Sequence, residues 1–468
     1  MSVRTRFAPS PTGELHLGGL RTALYAFLHA RRHGGVFFIR IEDTDRARLV
    51  PGAQERLLTT LRTFGIMWDE GPDIGGPYGP YVQSERIAQY RDAAALLVEQ
   101  GSAYRCDCTP VRLQELRDAQ TAARQPTRYD AHCRDRSDVD PQAPHVVRFR
   151  MPEQERITVA DVIHGDITVN AATLDDFVLL KSDGWPTYHL AHVVDDHAMR
   201  TTDVIRGDEW LSSLPKHALL FRAFQWEVPR YAHLPLLLNA QRKKLSKRDG
   251  DTDVASFLSW CFPDALRNFV ALLGWNPSAD REQFTLEELV AAFDVAAVHA
   301  SPAVVDFAKL EWLNGVYIRA MPEEELRRII RTQVPSAAGY DDAFVDRAIT
   351  LERSRLRRLD AFPAWYFAPY AREAPLPWKG TSATVTKQNL EQLVAFLTSL
   401  PVWPERPAVF EAAVKPWLTA AGLGVGETLW PMRVALSGQQ ASPSPFELAW
   451  LFGRDETLNR LRYAIASL

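Results

Sequence analysis

The order of strand and helix signals predicts an α/β fold, a parallel sheet covered by helices, followed by an all-helical half. Three observations carry this. Residues 1–85 read as βαβα, the same pattern returns at 176–210 after a long interruption, and helical periodicity dominates beyond residue 250. The stretch between the two α/β segments holds three of the four cysteines, short strands and polar connections, and is read as an insertion.

In chain order, a β-rich run at 3–8 enters two prolines and a glycine, and His16-Leu17-Gly18-Gly19 then opens a helical segment at 20–32. Strand, tight turn and helix start form a phosphate-binding arrangement. Unpaired amides at the helix N-terminus favour an anion, and glycines let a nucleotide approach the backbone. His16 adds a side-chain donor. No GxxxxGK[ST] occurs, so this is not a Walker A loop. Residues 36–42 (VFFIRIE) form an apolar strand running into Glu42-Asp43-Thr44-Asp45. Pro51 starts a helix on which Leu57, Leu58, Leu61 and Phe64 keep helical spacing. Ligands of a parallel sheet bind beyond the carboxyl ends of its strands, where Arg6, Ser10 and Glu42 fall.

The Gly/Pro-rich residues 71–80 are a loop leading to QSER (83–86) and an amphipathic helix over 84–100. Strands are expected at 145–150 and 167–169 in the insertion, and at 234–238 after the α/β pattern resumes. Helices are expected at 323–330 and 390–400, and the glycine cluster GLGVG (422–426) reads as a loop.

At 468 residues the chain holds several structural units, and 46% apolar with 24% charged residues suits a soluble globular protein. No apolar run approaches the ~20 residues of a membrane span. Met1 leads directly into a strand without the basic and apolar regions of a signal peptide. Four cysteines are too few and too clustered for a disulfide framework, so reduced thiols and a cytoplasmic location are expected. The net charge of −4 neither announces nor excludes nucleic-acid binding, which needs only local basic patches.

Two further clusters carry chemistry. Residues 242–248 hold five cations around KLSKR (244–248). Flexible cations of this kind stabilise charge moving onto the α-phosphate and departing pyrophosphate of ATP; a solvated basic surface is the bland alternative. In the insertion, Cys106-Asp-Cys108 and Cys133-Arg-Asp135 are separated by 24 residues. Three thiolates in this pattern suit Zn²⁺ with Asp135 as the fourth ligand, and His132 is its neighbour. Three ordinary reduced cysteines fit the same pattern.

The stretch RFAPSPTGELHLGG (6–19) resembles the "HIGH" element of class I aminoacyl-tRNA synthetases, in the PSPTGxLHxGG form of the glutamyl-tRNA synthetases, and KLSKR resembles their "KMSKS" element. The resemblance implies a Rossmann-like parallel-sheet catalytic domain (1–86 and 186–241) and an inserted α+β domain (87–185) for the tRNA acceptor end. A stem-contact region (242–320) and a helical anticodon-binding region (321–468, dividing near 375) would follow. It implies ATP contacts from His16, Gly18, Gly19, Trp210, Lys244, Ser246 and Lys247, with His16, Lys244 and Lys247 serving catalysis. Glutamate would be held by Arg6, Ala8, Ser10, Glu42, Tyr188, His192, Arg206 and Glu209. Glu42 would take the ammonium and Arg6 the side-chain carboxylate, with Arg206 a second cation able to pair with it. His192 falls where some relatives carry other residues. Arg355 aligns with an Arg that reads the anticodon, within the basic run LERSRLRRLDAF (351–362), and LWPMRVALSG (429–438) also resembles a family stretch. The implied partners are tRNA(Glu), ATP with Mg²⁺, and L-glutamate, with one structural Zn²⁺ and a monomeric, cytoplasmic enzyme.

Three rivals differ in testable features. A short paralogue that attaches glutamate to a tRNA base lacks a half such as 322–468. A small-molecule nucleotidyltransferase does not need the lysine motif joined to a long helical half. A non-catalytic RNA-binding relative would have lost His16 or Lys247, and both are present.

Overall fold

A computed structural model describes residues 2–153, 155–245, 253–278 and 280–468. The chain divides into two compact units, Met1–Leu258 with Phe262–Leu310, and Ser259–Cys261 with Glu311–Leu468. Among the described residues, no helix is long and apolar enough to cross a membrane.

The first unit is built on a six-stranded sheet. Strands β1 (Arg4–Phe7) and β2 (Val36–Ile39) flank helix α1 (Leu17–Arg32), and α2 (Ala53–Thr63) follows. After α3 (Ile87–Glu99) come β3 (Ala103–Cys106), α4 (Pro110–Ala122), β4 (Val146–Phe149), the hairpin β5 (Arg156–Asp161) and β6 (Gly165–Asn170), and β7 (Val178–Leu180). Then α5 (Tyr188–Ala198), β8 (Asp203–Gly207), α6 (Leu214–Ala223) and β9 (Arg230–Leu234) complete the core. The strand order is β2-β1-β8-β9-β5-β6, parallel throughout except for the antiparallel pair β5-β6 at the edge. Thr5, Arg6 and Phe7 are all buried, as befits a strand covered on both faces. Helix α1 is apolar nearly all round (Leu17, Leu20, Ala23, Leu24 and Leu28 are fully buried) and packs on β1, β2 and β8. The connection from β1 goes to β2 on one side, while β8 pairs on the other. That reversal opens a crevice at the carboxyl ends of β1 and β8.

Several expectations shift in detail. The first helix begins at Leu17, because His16 caps it. The run 234–238 is broken by Pro235, whose missing N–H ends the ladder; β9 stops at Leu234, and β10 (Leu237–Leu238) pairs instead with β11 (Ala303–Val304). Within the stretch read as an insertion, β3, β4 and β7 form a separate antiparallel sheet, but the hairpin β5-β6 joins the central sheet through Asp161 opposite Tyr231. Helices α7 (Val254–Phe257), α8 (Pro263–Ala271) and α9 (Leu286–Ala292) follow, and α10 (Phe307–Ala320) begins in this unit and ends in the next.

The second unit continues with α11 (Glu323–Gln333), α12 (Asp342–Glu352), α13 (Ala383–Ser399), α14 (Pro407–Ala420), α15 (Val425–Ser437) and α16 (Pro445–Ala466). Helices α12 to α15 each pack on α16. A capping box between Ser444 and Glu447 starts that helix. The GLGVG cluster is only partly a loop, because Val425 and Gly426 already lie in α15. A Cβ on Gly426 would stand 2.8 Å from the Trp378 indole nitrogen, so glycine there makes room for the ring.

Candidate active site

The crevice is a cavity of about 960 Å³ lined by Arg6, Ala8, Ser10, His16, Gly18, Gly19, Glu42, Tyr188, Arg206, Glu209, Trp210 and Lys244. Residues nominated from four distant parts of the chain thus come together. His192 does not line it: fully buried, it lies behind Tyr188, whose ring stacks on it at 5.4 Å. Its Nε2 is 3.2 Å from the Tyr231 hydroxyl. The expected glutamate contact from His192 is therefore replaced by a supporting one.

At the helix start, the Gly19 amide donates to His16 Nδ1 at 3.0 Å. One of the amides expected to bind an anion is thus taken by the histidine. In the neutral ring this bond leaves the proton on Nε2. Neither Gly18 nor Gly19 has positive φ. A Cβ on Gly18 would lie 3.2 Å from His16 Nδ1, and one on Gly19 2.8 Å from Leu15 Cδ1. The glycines make space for the imidazole as well as for a ligand.

Behind the crevice lies a buried charge network. Arg6 Nε donates to Asp196 at 3.1 Å, and Arg40 Nη1 donates to the same carboxylate at 2.6 Å. Arg40 Nη2 also holds Glu42 Oε1 at 3.0 Å. Burial favours a protonated Asp196, but Arg40 and then Arg6 pull it below the ordinary range. Burial raises the Glu42 carboxyl, with Arg40 opposing. Arg6 is thus already paired.

Arg206, at the end of β8, differs. Its Nε donates to His233 Nε2 at 2.9 Å, Nη1 to the Tyr188 hydroxyl at 3.0 Å and to His217 Nδ1 at 3.2 Å, and Nη2 to the Trp210 carbonyl at 3.3 Å. The side chain is buried, and among the described residues no carboxylate is hydrogen-bonded to it. Arg40 also lies 3.7 Å from Asp195, which the buried Arg86 holds at 2.7 Å. Four guanidiniums (Arg6, Arg40, Arg86, Arg206) therefore meet three carboxylates (Glu42, Asp195, Asp196) in direct contact, and Arg206 is the one with no carboxylate against it among the described residues. Tyr188 opens α5, and its ring packs on Trp210 with centroids 4.0 Å apart. Glu209 is exposed, and its carboxyl folds over Gly207, where a Cβ would collide with it.

Lys244 sits on a hairpin, opposite Leu238, after a turn in which Asn239 Oδ1 accepts from the amides of Gln241 and Lys243. Ser246 and Lys247 lie outside the described residues. The chain on either side is anchored at the crevice: the Leu245 amide donates to Leu237, and the Val254 amide donates to Leu15, next to His16.

The three cysteines converge, with sulfurs within 4.8 Å of one another and Cys106 and Cys133 buried. Asp135 is not among them; its carboxylate pairs with Arg150 at 2.8 Å and is largely exposed. The Tyr129 hydroxyl takes that place, 3.4 Å from Cys106 Sγ and 3.7 Å from Cys108 Sγ, and it accepts from the Cys133 amide at 2.8 Å. This donor set, soft and half enclosed, fits Zn²⁺. In the second unit α12 ends at Glu352, so the arginine run beyond it is not helical. Arg355 donates to the Leu351 carbonyl at 2.8 Å with its side chain half exposed, and Arg358 stacks on Trp260 at 4.2 Å.

Arg40, Asp196, Tyr129, His217 and His233 escaped the reading of the sequence, since each acts through a partner distant along the chain. Arg40 alone carried a signal, as a charge inside an apolar strand.

Two family models match: "tRNA synthetases class I (E and Q), catalytic domain" over residues 2–312, and "Anticodon binding domain" over 319–465. The second match argues against the short base-modifying paralogue. The chain is 41% identical to a glutamate–tRNA ligase of Clostridium botulinum (strain Okra) and 40% identical to one of Lachnoclostridium phytofermentans, covering 100% of this chain and 98% and 99% of theirs. Among solved structures, a glutamate tRNA ligase of Elizabethkingia meningosepticum in complex with its amino acid has a TM-score of 0.88, and a glutamate-tRNA synthetase of Elizabethkingia anophelis one of 0.86. Each is 35% identical, with full coverage of both chains. Over its whole length, the chain belongs to the glutamyl-tRNA synthetase family of class I aminoacyl-tRNA synthetases.

Proposed function

We infer that the chain is a glutamate–tRNA ligase, which activates L-glutamate with ATP and transfers it to the 3′ end of tRNA(Glu). In the first step an α-carboxylate oxygen of glutamate attacks the α-phosphorus of ATP. The glutamyl-adenylate anhydride forms and pyrophosphate leaves. In the second, a hydroxyl of the terminal ribose attacks the acyl carbon, and AMP leaves. The reacting groups belong to the substrates, so no side-chain nucleophile is required.

The observation that carries the substrate class is Arg206, buried with only neutral hydrogen-bond partners among the described residues. Bound glutamate has one net negative charge and balances the excess positive charge of the site; glutamine has none and leaves a buried guanidinium unpaired. Glu42 is the acceptor for the ammonium, and Arg206, with Arg6 beside Asp196, receives the side-chain carboxylate. Ala8, Ser10, Tyr188 and Glu209 complete the glutamate pocket. His16 and the helix start at Gly18 and Gly19 hold the ATP phosphates, against Trp210. Lys244, together with Ser246 and Lys247, meets the charge developing on the pyrophosphate. Mg²⁺ accompanies ATP and neutralises its phosphates. Cys106, Cys108, Cys133 and Tyr129 would hold a structural Zn²⁺, away from the reacting atoms. The second unit reads the anticodon, with Arg355 as one contact. We place the enzyme in the cytoplasm, where its four free cysteines stay reduced.

The test is ATP–pyrophosphate exchange with glutamate against glutamine, with and without tRNA. Exchange that depends on glutamate is expected. Its absence in the presence of matched tRNA would refute the assignment.

A further inference from the structure

We propose that His217 and His233 determine the preference for glutamate over glutamine, by holding Arg206 as neutral acceptors that leave its charge uncancelled. This inference rests on the glutamate reading above and deepens it.

The tautomers follow from the geometry. Arg206 donates only, so the ring nitrogens facing it, His233 Nε2 at 2.9 Å and His217 Nδ1 at 3.2 Å, must be unprotonated acceptors. Behind His233, Nδ1 lies 2.6 Å from Asp161 Oδ2 and donates to it. Behind His217, Nε2 donates to His189 Nδ1 at 3.1 Å. Each histidine is thus fixed in the tautomer that Arg206 needs by a second residue further from the crevice. His217 and His233 are both wholly buried. Asp161 is not a competing counter-ion in contact with the guanidinium. It also accepts from the amides of Ile163 and His164, each at 3.0 Å, and is separated from Arg206 by the imidazole. The nearest analogy inside the same site is Arg6, oriented by the carboxylate of Asp196, which neutralises it. The two arginines are equally buried and equally oriented, but only Arg206 brings its full charge to the wall. A neutral cradle gives orientation without cancellation. A carboxylate in either position would pair with Arg206, and the site would then accept the neutral amide of glutamine.

An isosteric pair of variants isolates charge from shape. His217→Asn keeps a neutral oxygen near the position of Nδ1, whereas His217→Asp puts a carboxylate there. Exchange kinetics are read as the ratio of kcat/KM for glutamate to that for glutamine. The ratio is expected to stay within about threefold of wild type in His217→Asn. It should fall at least about tenfold in His217→Asp, through a raised KM for glutamate at an unchanged KM for ATP. His217→Asp with the wild-type ratio overturns the proposal, as does His217→Asn with an equal loss. If His217→Asp does not fold, His233→Gln and His233→Glu make the same comparison from the Nε2 side, with the same outcomes deciding. Wild-type protein without glutamate-dependent exchange would instead overturn the ligase assignment.

Discussion

Asp196 is the point at which the buried network is most exposed to perturbation. Its carboxylate, wholly buried, accepts from Arg40 at 2.6 Å, Arg6 at 3.1 Å and Thr201 at 3.2 Å. In Asp196→Asn one oxygen survives as an acceptor, but an NH₂ group now faces guanidinium donors, Arg40 keeps only Glu42 and the more distant Asp195, and Arg6 loses its hydrogen-bonded carboxylate. Removing one partner of a buried ionic network costs about 3–5 kcal/mol, most of it the penalty of the charges left behind. The compact unit that carries the crevice has roughly 300 residues, and hence an unfolding entropy of roughly 0.6 kcal/mol/K. The variant should melt about 5–8 °C lower. Calorimetry measures this, with the transition of the crevice-bearing unit identified by its upward shift on adding ATP. A decrease smaller than about 1 °C would show that Arg6 and Arg40 do not depend on Asp196, and the network reasoning would fail.

The buried histidines predict an acid-sensitive fold. Burial lowers His192 and His217 well below their ordinary values and His189 to about 4. Between that value and about 6.5 the unfolded chain binds protons the folded one refuses, so stability rises with pH and is complete above about 6.5. Each histidine contributes a slope of up to about 1.4 kcal/mol per pH unit. Melting temperature should therefore fall from pH 6.5 to 5, and less steeply in His217→Asn; an identical slope in the variant contradicts this. Gly18→Ala pushes on the His16 ring, 3.2 Å from the new Cβ. Pyrophosphate exchange should drop at least about tenfold with melting within about 2 °C of wild type, because alanine is the better helix former; unaltered exchange argues against the close fit. For the cysteine cluster, protein purified without chelator should carry about one equivalent of zinc by elemental analysis. Tyr129→Phe should lose it faster to a chelator and Asp135→Asn should not. Equal loss from both variants would remove Tyr129 from the donor set.

What could be read from the residues followed covalent spacing and period. His16 and the paired glycines stand together in the chain, so the helix start was legible without coordinates. Arg6, Ser10 and Glu42 were legible because strand ends can be located from apolar runs, whereas Arg206 was reached through the family resemblance. The partners of those residues were not. Asp196 is 190 residues from Arg6, and Asp161 is 72 from His233. Sequence pattern carries no information about which strand neighbours which across such distances. Asp135 stands apart from the three sulfurs for a related reason: Arg150, brought near by β4, pairs with its carboxylate at 2.8 Å. Tyr129 was not legible because a tyrosine, even four residues from Cys133, normally reads as core and seldom as a metal ligand. The failures fall on residues whose role depends on a third party.

The hairpin of β5 and β6 also bears on modularity. The stretch 87–185 has the look of a removable cassette, set between two halves of one sheet. Yet β5 pairs with β9, and its last residue, Asp161, fixes the histidine that orients Arg206. Excising that stretch would uncover a sheet edge and release the imidazole that orients Arg206 at the crevice wall. A minimal catalytic core of this protein must therefore retain the hairpin, and a graft that exchanges the cassette must bring its own Asp161.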